Sequence, residues 1–212
     1  MRDLSFPFAL GIADGFCRQH MTELEEMGIG LDTGSRVERE TQFLLQEMER
    51  FQGCRGVGRV RAIAALANGA SENGGESYAR AVMCEQGVRI PQLQVELPDV
   101  IDAGNVFRVD YLWEGLPTRD VAGELDGEAK TEDPAMLRGK STRDALRAER
   151  QRESRLTALG YAVARFTFAD VRRVRPFINT LDAFGVPRSA PNAELLESVG
   201  PSRVSKPWVH IR

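Results

Sequence analysis

VFRVDYLWEGLPTRDVAGELDGEAK, running from Val106 to Lys130, is the stretch on which the reading of this chain turns. Its first eight residues alternate apolar and polar side chains in a β-rich composition, the pattern of a half-buried strand. Glu114-Gly115-Leu116-Pro117 then breaks the run with turn formers. A second short run, Val121 to Asp126, ends at Gly127, and Lys130 follows. If the two runs are adjacent strands, Asp110, Glu124 and Asp126 converge toward one sheet edge with Lys130 beside them. Glu124 and Asp126 are two residues apart and so point the same way. Like charges held that close repel each other. A divalent cation removes the objection, because an acidic cluster with a lysine can hold Mg²⁺ against a phosphodiester.

Upstream, Gln92 to Leu97 alternates strictly and reads as another strand. Pro98 and the Asp102-Ala103-Gly104-Asn105 turn join it to the opening stretch as a hairpin or small meander. Before it, Asn73-Gly74-Gly75-Glu76 offers an N-cap with a glutamate three residues on, opening a helix that stops at Gly87. Asn68 to Gly75 is a loop of turn formers and marks a soft boundary. The region before it is helical. An irregular signal from Phe6 to about Met27 is limited by Gly11, Gly15 and Gly28. A capping box at Ser35-Arg36-Val37-Glu38 opens a helix to about Phe51, and a glycine-rich turn from Gly53 to Gly58 precedes a short helix through Ile63 and Leu66. Those glycines match neither a P-loop nor a dinucleotide fingerprint.

Downstream, Thr142 is the expected N-cap and Gly160 the C-terminal stop of a strong arginine-rich helix. Tyr161 to Phe168 is apolar enough for a central strand. Asp170 is expected to cap a last helix that runs to about Phe184, with Pro176 as a local irregularity. The tail beyond Gly185 reads as extended. A mixed sheet with helices on its faces satisfies this order, so the expected class is α/β.

With 212 residues and a formal charge of −3, the composition is that of a soluble globular protein. No apolar run approaches the ~20 residues of a membrane helix, and the N-terminus lacks a signal-peptide pattern. Cys17, Cys54 and Cys84 suit neither a disulfide framework nor a zinc site, which points to a reducing cytoplasm. His20 and His210 have no metal-ligand spacing. The weak net charge conceals an asymmetry. From Arg138 to Arg175 there are eleven Lys or Arg against four Asp or Glu. A basic block beside an acidic cluster suits a protein that grips and cuts a polyanion, although a solvated arginine-rich helix has the same composition.

Several short motifs recur in order: GES-x-x-R at Gly75, G-x-x-x-P-x-x-Q at Gly87, R-x-D-Y-x-W at Arg108, E-x-D-G-x-x-K at Glu124, E-R-x-R-E at Glu149 and A-R-F-T-F-A-D at Ala164. Together they resemble the endonuclease-like domain at the C-terminus of abortive-infection type IV antitoxin-like bacterial proteins. That domain is similar to very-short-patch repair endonucleases, within the restriction-endonuclease-like PD-(D/E)XK superfamily. The resemblance covers about Gly53 to Val186. It implies a restriction-endonuclease-like mixed sheet flanked by helices. The implied division is a helical extension over 1–70, an endonuclease-like domain over 71–186 and an extended tail over 187–212. Many relatives carry a winged helix first, and the residues before Gly53 are too few for one plus a linker.

The resemblance also implies roles. Asp110 falls on the primary metal ligand and Glu124 on the second acidic position, so the pair would hold Mg²⁺ or Mn²⁺. Asp126 is either a further ligand or the maker of the Asp126-Gly127 turn. Lys130 would orient water or stabilise the transition state, the alternative being an exposed loop lysine. Relatives commonly follow it with an aromatic, where this chain has Thr131. Glu76 would reach the metal through water, or serve only its capping box. Arg80, Arg150 and Arg152 match basic positions, and with Arg143 and Arg147 they are candidates for phosphate contacts or ion pairs. Tyr111 and Trp113 read as core residues rather than stacking platforms. The expected activity is metal-dependent hydrolysis of DNA, with a homodimer or partner protein left open. One rival is a nuclease fold without catalysis, acting as an antitoxin-like or DNA-binding module. Another is a carboxylate-pair glycosidase, which the scarcity of aromatics for a sugar cleft disfavours.

Overall fold

The computed structural model describes residues 4–28, 33–102, 104–127 and 142–191. Four helices come first: α1 (Phe6–Glu26), α2 (Thr33–Glu49), α3 (Val57–Ala64) and α4 (Gly74–Glu85). Three strands follow, β1 (Gln92–Pro98), β2 (Val106–Trp113) and β3 (Val121–Asp126). The described chain closes with α5 (Thr142–Ala158), β4 (Ala162–Thr167), α6 (Phe168–Arg173) and α7 (Arg175–Ala183). The strands make one sheet in the order β1-β2-β3-β4. The first three form an antiparallel meander, and β4 returns parallel to β3. The fold is α/β: a mixed sheet flanked by helices, with a helical N-terminal region.

One face of the sheet meets α4, α6 and α7. Tyr111, Trp113, Ala164 and Phe166 pack there against Ala79, Met83, Val171, Phe177 and Leu181. The other face meets α5, with Leu112 and Ala122 against Leu156. Phe166 lies 4.6 Å from Phe177 and 5.8 Å from Tyr111, ring centre to ring centre, within the range of favourable aromatic pairs.

A third cluster, including Phe6, Leu10, Cys17 and Ile63, fastens the N-terminal helices to the back of α4 through Ala81 and Cys84. A buried ion pair crosses the same boundary. One Arg80 guanidinium nitrogen lies 2.7 and 2.8 Å from the two Asp14 carboxylate oxygens. Its other terminal nitrogen donates to the Leu66 carbonyl, and Asp14 also accepts the Asn68 N–H. Burial, with Glu40 and Asp14 nearby, pushes the Cys17 thiol up to about 12, so it behaves as a small apolar side chain.

Several local expectations need correction. Gly11 and Gly15 do not divide α1, because the packing of one helix face on α4 outweighs glycine's low helix propensity. Helix α2 starts at Thr33, which places Ser35 inside it rather than at its cap. Likewise Thr142 is the first residue of α5. The N-cap of α6 is Thr167, and Asp170 is its reciprocal partner at N3. The expected last helix is two, split at Val174, whose φ is +59°, with Pro176 in the first turn of α7. Strand β4 lies at a sheet edge. Its apolar character comes from helices covering both of its faces. Within the expected tail, Val186 is buried and Val88 bridges to Arg188.

Two predictions follow from this packing. A Cβ on Gly123 would sit 2.8 Å from the Trp113 ring and 3.1 Å from Tyr111 Cβ. Gly123→Ala should therefore cost about 1–3 kcal/mol in urea unfolding. Separately, burial raises the Glu85 carboxyl from 4.5 to about 7. The folded chain then binds that proton more tightly than the unfolded one, so stability falls as pH rises across that window. Glu85→Gln should flatten the slope and raise Tm above neutral pH by about 2–4 °C, read from melts followed by circular dichroism.

Candidate active site

The site begins where β2 and β3 stop pairing. Their ladder runs from Trp113↔Val121 to Tyr111↔Gly123 and goes no further. Beyond that point β2 pairs with β1, and β3 pairs with β4 through Glu124↔Arg165, Leu125↔Phe166 and Asp126↔Thr167. The sheet therefore forks. Backbone groups facing a fork need other partners, and two side chains provide them. Asp110 Oδ2 accepts the Leu125 N–H at 2.9 Å, and Arg152 Nη2 donates to the Arg108 carbonyl at 2.7 Å.

The strands also exchange faces beside the fork. Leu93 and Tyr111 belong to the core under α4, whereas Val95, Leu97, Phe107 and Val109 belong to the core under α5. Strict alternation would put Leu93 with Val95, and Val109 with Tyr111. The reversal falls between the pairs Leu93↔Tyr111 and Val95↔Val109, at Gln94 and Asp110. Gln94 absorbs it with a φ of +51°, a left-handed conformation costing about 1–2 kcal/mol for a residue other than glycine. The Gln94 amide nitrogen donates to Glu76 Oε2 at 2.9 Å and lies 3.4 Å from Asp110 Oδ1. One neutral donor thus stands between two carboxylates.

Glu76 is placed by the start of α4. Asn73 Oδ1 caps the helix by accepting the N–H groups of Gly75 and Glu76. The buried Glu76 carboxylate accepts the Glu72 N–H at 2.7 Å and the Asn73 amide at 2.5 Å. The Tyr111 hydroxyl donates to the Glu76 carbonyl at 2.9 Å. Glu76 is thereby both the N3 residue of its helix and a neighbour of Gln94.

Glu124 lies on the other prong of the fork and is 6% exposed. Arg152 donates to its Oε1, and Arg165 Nη1 lies 3.3 Å from its Oε2. Burial pushes the Glu124 carboxyl above its ordinary range despite both arginines. Asp126 is ion-paired with Arg165 through both carboxylate oxygens. Arg165 in turn bonds Glu149, and these acidic partners keep its guanidinium firmly protonated.

Asp110, Glu76 and Glu124 therefore all border the fork, Asp110 and Glu76 joined through Gln94 and Glu124 turned toward the arginines. Among the described residues, no group of three His, Cys, Asp or Glu side chains is close enough to hold a metal ion as they stand. Lys130 lies outside the described residues. Arg143, Arg147 and Arg150 are exposed on α5. Arg80 is buried and ion-paired with Asp14, the second of the two roles expected for it. Tyr111 and Trp113 are core residues. Sequence reasoning gave no role to Gln94, Arg165 or Arg108. Gln94 is the last letter of G-x-x-x-P-x-x-Q, and the strict alternation of its strand carries no sign of the face reversal found there.

Two uncharacterized proteins of Mycobacterium tuberculosis, MT2308 (strain CDC 1551 / Oshkosh) and Rv2248 (strain ATCC 25618 / H37Rv), are each 32% identical to this chain over 123 residues. That stretch is 58% of this chain and 40% of each relative, so the chain spans well under half the length of these relatives. No family model matches the chain, and no solved structure matches it. Among the described residues, no helix is long and apolar enough to cross a membrane.

The left-handed backbone at position 94 makes a prediction. Glycine ordinarily weakens a strand relative to alanine by about 0.5–1 kcal/mol. Here the order should invert, with Gln94→Gly more stable than Gln94→Ala by about 1 kcal/mol in denaturant titrations.

Proposed function

We propose that this chain is a Mg²⁺- or Mn²⁺-dependent DNA endonuclease of the restriction-endonuclease-like PD-(D/E)XK type, as its motifs imply. The observation that supports the reading is the fork, where Asp110 and Glu124 are the first residues past the last β2–β3 pair on two parting strands and Gln94 links Asp110 to Glu76 at the start of α4. Three partly or fully buried carboxylates bordering one opening of a sheet are a costly arrangement that a bound cation would relieve. Their oxygen-only chemistry fits a hard divalent cation.

Asp110 and Glu124 would hold the ion, with Glu76 set back behind Gln94. When bound, it would supply Lewis-acid activation of water and of the scissile phosphate. The chain's own residues do the rest. Gln94 stands between Asp110 and Glu76 and fixes where both carboxylates point. The exposed Arg143, Arg147 and Arg150 give α5 a cationic face for the phosphate backbone. Lys130 is assigned the stabilisation of charge on the reacting phosphate.

The pairing of Glu124 with Arg152 and Arg165 favours a second reading. In it the same fold binds DNA, or serves as an antitoxin-like module, without cutting.

Incubation with supercoiled plasmid and Mg²⁺ or Mn²⁺ separates the two. The nuclease reading expects cleavage that chelator abolishes and that Asp110→Ala lowers by about 100-fold or more. Equal activity in the variant would sink it. Salt-sensitive, chelator-insensitive DNA binding without cleavage under either metal would establish the second reading instead.

A further inference from the structure

The geometry points to Arg152 as an exchangeable partner of Glu124, held there until a phosphodiester draws it away and leaves the carboxylate to a divalent cation. This rests on the nuclease reading above and deepens it: metal loading and DNA binding become one coupled event.

Three observations converge on Arg152. First, Glu124 is too buried to be left as a bare anion. Its side chain is 9% exposed, and a buried carboxylate without a compensating charge is strongly destabilising. Once ionised, it needs a cation facing it. Second, the two arginines that face it are not equivalent. Arg165 is anchored through Asp126 and Glu149 and lies farther off, at 3.3 Å from Oε2. Arg152 bonds Glu124 directly, and its remaining contacts are the Arg108 carbonyl and Glu149 at 3.7 Å. Its side chain is 25% exposed, close to the 29% of Arg165, so both reach solvent. What sets Arg152 apart is that it lacks the two-oxygen anchor on Asp126 that holds Arg165. Third, Arg152 projects from α5, the helix whose exposed Arg143, Arg147 and Arg150 offer a polyanion its first grip.

A phosphate lying along α5 can take the Arg152 guanidinium in a bidentate pair, the geometry for which arginine is suited. Glu124 then needs a replacement cation, and a divalent ion shared with Asp110 provides one. Arg165 stays behind to hold Asp126 and Glu149. Without DNA the guanidinium competes with the metal. With DNA it does not. By linkage, DNA must tighten metal binding by the same factor as metal tightens DNA binding. Such a device keeps the ion out of the site until a substrate is present.

Mn²⁺ binding to the full chain, followed by electron paramagnetic resonance of free Mn²⁺, tests this without relying on cleavage. A duplex with uncleavable phosphorothioate linkages is added in one arm, and its own Mn²⁺ uptake is subtracted. Arg152→Gln keeps a donor for the Arg108 carbonyl and removes the charge. It should bind Mn²⁺ about 10-fold tighter than wild type without DNA. DNA should tighten wild type by a similar factor and leave the variant within about twofold. Equal Mn²⁺ affinity of both proteins without DNA, together with no effect of DNA on wild type, overturns the exchange. If circular dichroism shows Arg152→Gln unfolded, Arg152→Lys replaces it, and an unreduced DNA effect in that variant likewise overturns the proposal. Asp110→Asn serves as the reference. Mn²⁺ binding that it does not weaken in any protein, with or without DNA, removes the metal reading itself rather than the exchange alone.

Discussion

The early parting of β2 from β3 is the constraint on which the rest of this structure depends. An antiparallel pair that stops after Tyr111↔Gly123 leaves N–H and C=O groups on both strands without their usual partners. Here a carboxylate accepts one N–H and a guanidinium donates to one carbonyl. The groups that satisfy the backbone are thus the ionisable side chains of the site. Asp110 and Arg152 close the open end of the sheet while remaining the residues with most chemistry to offer.

Everything around the fork serves to keep it in place. Gly123 is the last paired residue of β3 on that side, and its missing side chain lets the Trp113 ring lie over the strand. Tyr111 packs beside Trp113 and donates to the Glu76 carbonyl, locking the first turn of α4 to β2. On its far side α4 is held by the buried Asp14–Arg80 pair and an apolar cluster shared with α1 and α3. A buried ion pair adds little net stability compared with apolar packing, but it tolerates few alternative arrangements. The N-terminal helices therefore brace the helix that presents Glu76.

Electrostatics at the fork are arranged as two compensated groups rather than one pool of negative charge. Glu76 and Asp110 share a neutral amide. Glu124, Asp126 and Glu149 share two guanidinium groups. The first group is satisfied by dipoles and backbone N–H donors, the second by full charges. Exchange between partners concerns the second group, because a guanidinium can be drawn off by another anion.

Much of this was legible in the residues. Alternation marked β1, β2 and β3, the turn formers between them implied a meander, and Asn73 with Glu76 announced the start of α4. The resemblance singled out Asp110 and Glu124 as expected metal ligands, and both lie at the fork. The partners of those residues were not legible. Arg80 and Arg152 carried the same expectation of a phosphate contact or an ion pair, yet one is buried against Asp14 and the other closes the fork. The place of Gln94 was not legible because periodicity assumes that a strand keeps its faces, and this strand reverses them. By itself the sequence determined the elements, their order and the residues able to do chemistry, since propensity, capping and alternation act over a few neighbouring positions. Only the tertiary structure decided which charge faces which and where the sheet opens, since those depend on contacts between residues 15 to 66 positions apart.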